Sequence, residues 1–298
     1  MAGHKLADLK VGYACNNNCI HCVIAGLRSY GDRTTAEYKQ EMSDARTRAD
    51  LLVITGGEPT IRKDILDLVS HAAFLGFKRI TLQTNGRMFC YMDFASGMAS
   101  IARIGYVVAI HAPEAGLHDR ITQVKGSFGQ TVQGMRNLRG LGQDVSAKVV
   151  ISKLNSGLLP EISHLLASLD VADVCFAFPH PMGNAMVFFD EVVPNITETA
   201  RSLHKAIDFC DSKGMHVMSE GFPFCLMSGY ERCISELNVP EREMNDIRDF
   251  YPDFNEIERT KGRAKAPSCA SCRHDLSCSG PWKEYPQKFG WSEFVPVR

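Results

Sequence analysis

Three observations predict an α/β chain built from parallel βα units. Short, almost wholly apolar runs recur between residues 1 and 214, segments with helical spacing of apolar side chains lie between them, and the most distinctive polar motifs follow the ends of those runs. Strands apolar on both faces suit a sheet covered on both sides, and parallel neighbours need a crossover that is usually a helix. With 298 residues, 45% of them apolar, the chain can bury a core of barrel size and carry a smaller appendage. Periodicity alone fits an open doubly wound sheet as well as a barrel.

The first strand candidate, Leu9 to Ala14, runs into Cys15-Asn-Asn-Asn-Cys19-Ile-His21-Cys22. Three thiolates this close, with no further cysteine until Cys90, can hold three irons of a [4Fe-4S] cube and leave the fourth iron open. A closed zinc site needs a fourth protein ligand, and only Cys19 and Cys22 form a C-x2-C knuckle, with His21 strained inside it. The second strand, Leu51 to Thr55, opens into Gly56-Gly57-Glu58-Pro59-Thr60. Its glycines allow close backbone approach to a ligand, and its proline sets the exit into a helix. That helix carries Ile65, Leu68, Val69, Ala72 and Leu75 on one face behind a capping Thr60.

The third strand, Arg79 to Thr84, is closed by Asn85 and Gly86, and the fourth, Tyr106 to Ile110, ends at His111. Two readings stand for that imidazole: a catalytic base or substrate ligand, and a histidine satisfied by backbone partners. A second helical face, Phe128, Val132, Met135, Leu138 and Leu141, leads to the fifth strand, Ala147 to Ile151, and then to Asn155. The sixth strand, Val174 to Phe178, precedes Pro181-Met182-Gly183-Asn184-Ala185.

The C-x3-C-x2-C triplet, the GGEP loop some 35 residues later and the TNG segment after strand 3 together resemble the radical S-adenosylmethionine (SAM) superfamily. The resemblance implies a partial (β/α)6 TIM-like barrel over residues 1–214. It also implies a [4Fe-4S] cluster on Cys15, Cys19 and Cys22, whose open iron chelates SAM so that one electron releases a 5'-deoxyadenosyl radical. By the same resemblance Gly56, Gly57, Glu58 and Pro59 sit beside the SAM amino group, and Thr84 and Asn85 line the SAM site. Asn155 is placed near the sulfonium or ribose, and Met182 falls in the adenine-contacting turn. Ala109 stands where many members have a ribose-reaching serine, so no such contact is carried over from strand 4. The segment His118 to Thr122 with Gly126-Ser127-Phe128 resembles a loop of natural-product and peptide-modifying members, and reads equally as a turn that starts a helix.

Residues 215–298 lack a clear βα repeat. The charged stretch Glu241 to Lys265 reads as a lid over the barrel mouth or as a solvated loop, the second being the simpler. Cys269, Cys272 and Cys278, spaced C-x2-C-x5-C, resemble part of the SPASM and twitch extensions, which implies a second, auxiliary [4Fe-4S] cluster. Its fourth thiolate is Cys225 or Cys233. The rigid Phe-Pro-Phe before Cys225 favours that residue and leaves Cys233 as a hydrogen donor or exchange partner. A four-cysteine zinc site fits the same spacing.

The function these readings imply is a radical SAM oxidoreductase or epimerase acting on a peptide or small natural product. An auxiliary cluster that accepts the substrate's electron gives dehydrogenation or cross-linking, whereas a hydrogen atom returned by Cys233 gives epimerisation. A one-electron reductant such as flavodoxin or ferredoxin is implied. An iron-sulfur carrier or scaffold, or a zinc-binding protein, would use the same cysteines but has no use for the GGEP loop. A net charge of -1 offers no basic face for nucleic acid. No apolar run approaches the ~20 residues needed to span a bilayer, and residues 1–10 lack a signal core, so a cytoplasmic location is expected. There, eleven cysteines favour metal ligation over disulfides. Only fourteen residues precede Cys15, so a peptide substrate is expected to bind without an amino-terminal leader-recognition module, or through a separate partner.

Overall fold

The computed structural model describes residues 4–298 and shows an open, mostly parallel nine-stranded sheet covered by helices. In chain order the strands are β1 (Lys5–Lys10), β2 (Leu51–Thr55), β3 (Arg79–Thr84), β4 (Gly105–Ala109), β5 (Asp144–Val150), β6 (Asp173–Ala177), β7 (His216–Glu220), β8 (Glu241–Asn245) and β9 (Phe250–Tyr251). Spatial order is β7-β6-β5-β4-β3-β2-β1-β8-β9. All neighbours from β7 to β8 are parallel, and β9 returns antiparallel on β8. Helices α1 (Thr35–Arg46), α2 (Ile65–Phe74), α3 (Met92–Ala99), α4 (Ala115–Thr122), α5 (Ser127–Gly140) and α6 (Leu159–Ser168) fill the first five crossovers. Between β6 and β7 lie the short α7 (Asn184–Val187) and α8 (Phe189–Val192) and the long α9 (Ile196–Ser212). The sheet does not close on itself, so the partial α/β barrel expected from the sequence is the observed fold.

Alternation within the strands explains the curl. On β5, Val145, Ala147 and Val149 are buried in the core with Leu9, Ile54, Leu82, Tyr106 and Val174, while Ser146 and Lys148 point to the other face. That second face carries charge. Lys148 acts on Asp8 of β1, four strands away in the sheet, as does Arg242 of β8, so these side chains look at one another across the interior of a curled sheet. Lys148 Nζ donates to Glu220 Oε2 of β7 at 2.8 Å. Burial works to raise the Glu220 carboxyl, but the Lys148 ammonium and its hydrogen bond outweigh it and hold the group at about 2. A carboxyl depressed from its usual ~4.3 contributes stability that is complete above that value and is lost as the pH falls toward 2. Glu220→Gln is therefore expected to flatten the pH dependence of the denaturant midpoint between about pH 4.5 and 2, and to lower stability at neutral pH by leaving Lys148 unpaired.

Three elements depart from the sequence reading. The first strand runs Lys5–Lys10 rather than from Leu9 to Ala14, and Gly12 at φ +121° keeps it from continuing to Ala14. Val11 to Ala14 still run beside the GGEP loop, taking and giving the bonds Val11 N to Thr55 O, Gly57 N to Gly12 O and Glu58 N to Ala14 O. Thr60 is not a helix cap: it belongs to a short 3-10 turn, Pro59–Ile61, and α2 starts after Asp64. The charged stretch from Glu241 is neither lid nor solvated loop. It supplies β8 against β1, where Glu243 takes a bidentate bond from Arg48 at 2.9 Å, and it continues through β9 and a helical segment to the buried Arg263.

Candidate active site and metal centres

Every motif singled out in the first six strands lies at the carboxyl end of the sheet, and the loop from Cys15 to Cys22 is gripped there from three sides. From β3, Asn85 Nδ2 donates to Asn16 Oδ1 at 2.6 Å, and Arg87 donates to Asn16 O at 2.5 Å and Asn17 Oδ1 at 2.8 Å. From α4, the carbonyls of Thr122 and Ile121 accept from Asn18 N at 2.9 Å and Ile20 N at 3.0 Å. From the turn after β6, Asn184 donates through its backbone to Cys22 O and through Nδ2 to Cys19 O, both at 2.9 Å. Gly183 is required beneath it, since a Cβ there would come within 2.4 Å of Cys22 O. Sequence reasoning missed Asn16, Asn17, Arg87 and Asn184 as organisers. Only their position beside recognised motifs could have flagged them.

Glu58 is the keystone of the neighbouring loop. Its carboxylate, 2% exposed, accepts from Thr60 N (3.0 Å), Thr60 Oγ1 (2.5 Å), Thr84 Oγ1 (2.7 Å) and Asn85 N (2.6 Å). Burial still pushes its carboxyl above the ordinary range against these four donors. Glu58 thus fastens the β2 loop to the β3 loop and spends its oxygens on protein. The two glycines serve backbone packing: a Cβ on Gly57 would lie 2.2 Å from Ala14 O, and one on Gly56 2.3 Å from Gly12 O. Hydrogen bonds among the described residues leave the carbonyls of Gly56 and Gly57 free to receive an ammonium. Glu58→Ala strands four buried donors, and at ~1 kcal/mol or more apiece it is expected to lower unfolding free energy by about 4 kcal/mol or more. Chemical denaturation reads this directly.

The remaining expected residues divide. Asn155 is fully buried, and its amide is saturated by His111 O, Val150 O and Ser152, so it ties the ends of β4 and β5 together and offers no atom to a ligand. Met182 is half-exposed in the turn that holds Cys22. His111 is buried at the end of β4 with a ring nitrogen, Cys19 Sγ and a His21 nitrogen all within 4.8 Å of one another. Burial, with the nearby His21 and His118, keeps its imidazole far below the usual titration range, hence neutral. Asp119 behind this loop receives Gly126 N, Phe128 N and Ser127 Oγ, which is the helix-starting turn of α5.

The second thiol set is brought together from two segments. Cys225, Cys269, Cys272 and Cys278 line one partly open, largely apolar pocket with Phe224 and Trp291. Cys233 is not among its walls. It lies 4% exposed in the core, close to Cys210, and its carbonyl accepts from Ser219 Oγ at 3.1 Å. The hydrogen-donor and exchange roles expected of Cys233 therefore have no geometric basis, because packing under β7 turns it away from both thiol sets.

Both sets fit cubane clusters. Tetrahedral zinc with Zn–S bonds of ~2.3 Å draws its sulfurs to about 3.8 Å from one another. Three cysteines in the first set and four around the second pocket supply the ligand numbers that an open and a closed cube would take. Backbone N–H groups already point at the sulfurs: Asn17 N to Cys15 and Val297 N to Cys272 at 3.4 Å, Gly280 N to Cys278 at 3.3 Å. Such donors stabilise cluster thiolates.

A profile described as the radical SAM superfamily matches residues 9–163, more than half of the chain and the span that holds the triplet, the GGEP loop and His111. The chain belongs to the radical SAM superfamily. Among radical SAM relatives, mycofactocin maturase MftC of Mycolicibacterium smegmatis is 28% identical over 222 residues, 73% of this chain and 54% of MftC. A probable GTP 3',8-cyclase of Saccharolobus islandicus is 25% identical over 196 residues, 63% of this chain and 62% of that protein. The chain thus spans between half and two thirds of these relatives' lengths. Streptococcus suis SuiB, solved bound to S-adenosylmethionine, superposes with a TM-score of 0.69 at 14% identity over 98% of this chain and 76% of SuiB, which is agreement in fold. No helix among the described residues is long and apolar enough to cross a membrane.

Proposed function

We propose that this radical SAM chain oxidises a peptide or small natural-product substrate, with SAM bound at a [4Fe-4S] cluster on Cys15, Cys19 and Cys22 and a second [4Fe-4S] cluster on Cys225, Cys269, Cys272 and Cys278. When bound, these groups supply homolytic cleavage of SAM and a one-electron acceptor for the substrate. The protein's part is to hold, orient and exclude water. The clamps from Asn85, Arg87, Thr122 and Asn184 hold the three-thiol loop rigid, and the Gly56 and Gly57 carbonyls face the place of an incoming ammonium. The charged interior around Lys148, Glu220 and Arg242 suits a polar substrate rather than a lipid.

One observation carries the reading. The stretch after β6 binds the first thiol set and leads toward the second through Trp282: Asn184 binds Cys19 and Cys22, Phe178 O accepts Trp282 Nε1 at 3.3 Å, and His180 stacks on Trp282 at 3.8 Å. Trp282 in turn follows Gly280 and Pro281, which line the second pocket. A continuous path of contacts from the first thiol set to Trp282, beside the second, supports electron removal from the substrate, and the burial of Cys233 disfavours epimerisation. A peptide substrate draws support from SuiB, which is also solved bound to its precursor peptide SuiA. We place the auxiliary unit within residues 215–298, which also lend β7, β8 and β9 to the sheet, with electrons from a flavodoxin- or ferredoxin-class donor. Anaerobic reconstitution tests the scheme: about eight irons per chain and release of 5'-deoxyadenosine on reduction with SAM are expected. A colourless chain that holds zinc, or one that leaves SAM intact, would overturn it.

A further inference from the structure

The turn that follows the three-thiol loop sends one cation back onto it. Ala25–Leu27 is a single 3-10 turn closed by Leu27 N on Ile24 O at 2.9 Å, and Arg28 caps it in the right-handed helical region, with Tyr30 N on Leu27 O at 3.0 Å holding the exit. From that cap Arg28 Nη1 donates to Asn18 Oδ1 at 3.1 Å and Nη2 donates to Cys22 Sγ at 3.9 Å, a long bond of the kind sulfur, a large and weak acceptor, takes. Its partners among the described residues are these two, and neither is a carboxylate, so the charge of the guanidinium is not spent on an acid. Nε is buried and meets no acceptor there, which places part of the group out of water, where its field is screened less. Arg28 is also the one side chain among the described residues that donates to a thiol of the triplet. The other donor to the set, Asn17 N on Cys15 Sγ, is backbone and uncharged. The nearby Arg33 is spent elsewhere, on Ile247 O at 2.6 Å and on Glu41.

We propose that Arg28 is a positioning residue whose guanidinium, through its bond to the sulfur of Cys22, raises the reduction potential of the cluster held by the triplet. The inference rests on the reading of the triplet as cluster ligands. A cube gains one negative charge on reduction, so a cation fixed beside a ligand sulfur favours the reduced form. The hydrogen bond acts in the same direction, because it draws charge from the sulfur and hence from the metal. Asn18 holds the other arm of the guanidinium and so aims the donor without touching a thiol through its side chain.

The test is an EPR-monitored redox titration of the reconstituted full chain without SAM, in a Cys272→Ala background that leaves the first cluster to be read alone. Arg28→Met, which keeps the length of the side chain and removes its charge and donors, is expected to shift the midpoint to a more negative potential at unchanged iron content. Arg28→Lys should recover most of that shift, and Arg33→Met, which removes a nearby cation that touches no thiol, should leave the midpoint unmoved. With Arg28 in place, labelling with ¹⁵N-arginine should reveal an arginine nitrogen weakly coupled to the reduced cluster, and Arg28→Met should abolish that coupling. Should Arg28→Met assemble too little iron to titrate, the coupling decides alone. The inference is overturned by a midpoint indifferent to Arg28→Met, by an equal shift in Arg33→Met, or by the lack of arginine coupling. A chain with Arg28 in place that assembles no cluster on the triplet sinks the underlying reading as well, whereas an assembled cluster insensitive to Arg28 sinks this inference alone.

Discussion

Alanine at Cys19 is expected to reduce 5'-deoxyadenosine formation to background and to lower iron from about eight to about four per chain. Two remaining sulfurs, Cys15 and Cys22, leave a cube with two bare corners, and a cluster held at two points has neither the stability nor the single open iron that chelation of SAM requires. The fold should survive the change. The loop is anchored through backbone and neighbouring side chains, including Asn184 Nδ2 on the carbonyl of residue 19, and none of these bonds uses the Cys19 side chain. An unchanged thermal midpoint beside lost cleavage would therefore separate chemistry from stability. Cleavage above a tenth of the wild-type rate would mean that the triplet is not where SAM is split.

Alanine at Cys272 should have the opposite signature. Iron again falls to about four per chain, yet SAM cleavage stays within about threefold of wild type while substrate conversion drops at least about tenfold. The reason is separation of the two sites: Cys272 lines the second pocket and receives Val297 N–H, and neither contact is with the loop at Cys15 to Cys22. Cleavage without turnover is the mark of an electron acceptor acting after hydrogen abstraction. Normal turnover of substrate by this variant would reduce the second site to a structural role.

These outcomes also weigh how much was legible before any coordinates. The triplet, the GGEP loop and the TNG segment were readable because each is local in sequence, and strands β2 and β3 were bounded correctly because apolar runs ended at glycine or at a turn. Strand β8 was not legible. Its residues, Glu241-Arg-Glu-Met-Asn245, have the composition of a surface loop, and they become a strand because β1 offers an unpaired edge and Arg48 and Glu258 neutralise their charges. The start of helix α1 is marked in the sequence by Thr34 and Glu37, which form a reciprocal capping box.

Roles inside the site followed the same division. Residue types and spacing determined by themselves that three cysteines cluster at 15–22 and three more at 269–278, and that the chain alternates strands with helices, because such spacing and buried periodicity are carried by near neighbours. Only the tertiary structure decided that Cys225 joins the second pocket while Cys233 is packed under β7, that Glu58 and Asn155 spend their polar atoms on protein, and that His111 Nδ1 accepts from Val150 N–H. Each of those outcomes depends on hydrogen bonds between residues dozens of positions apart, and such partners are set by how the sheet curls and not by any spacing along the chain.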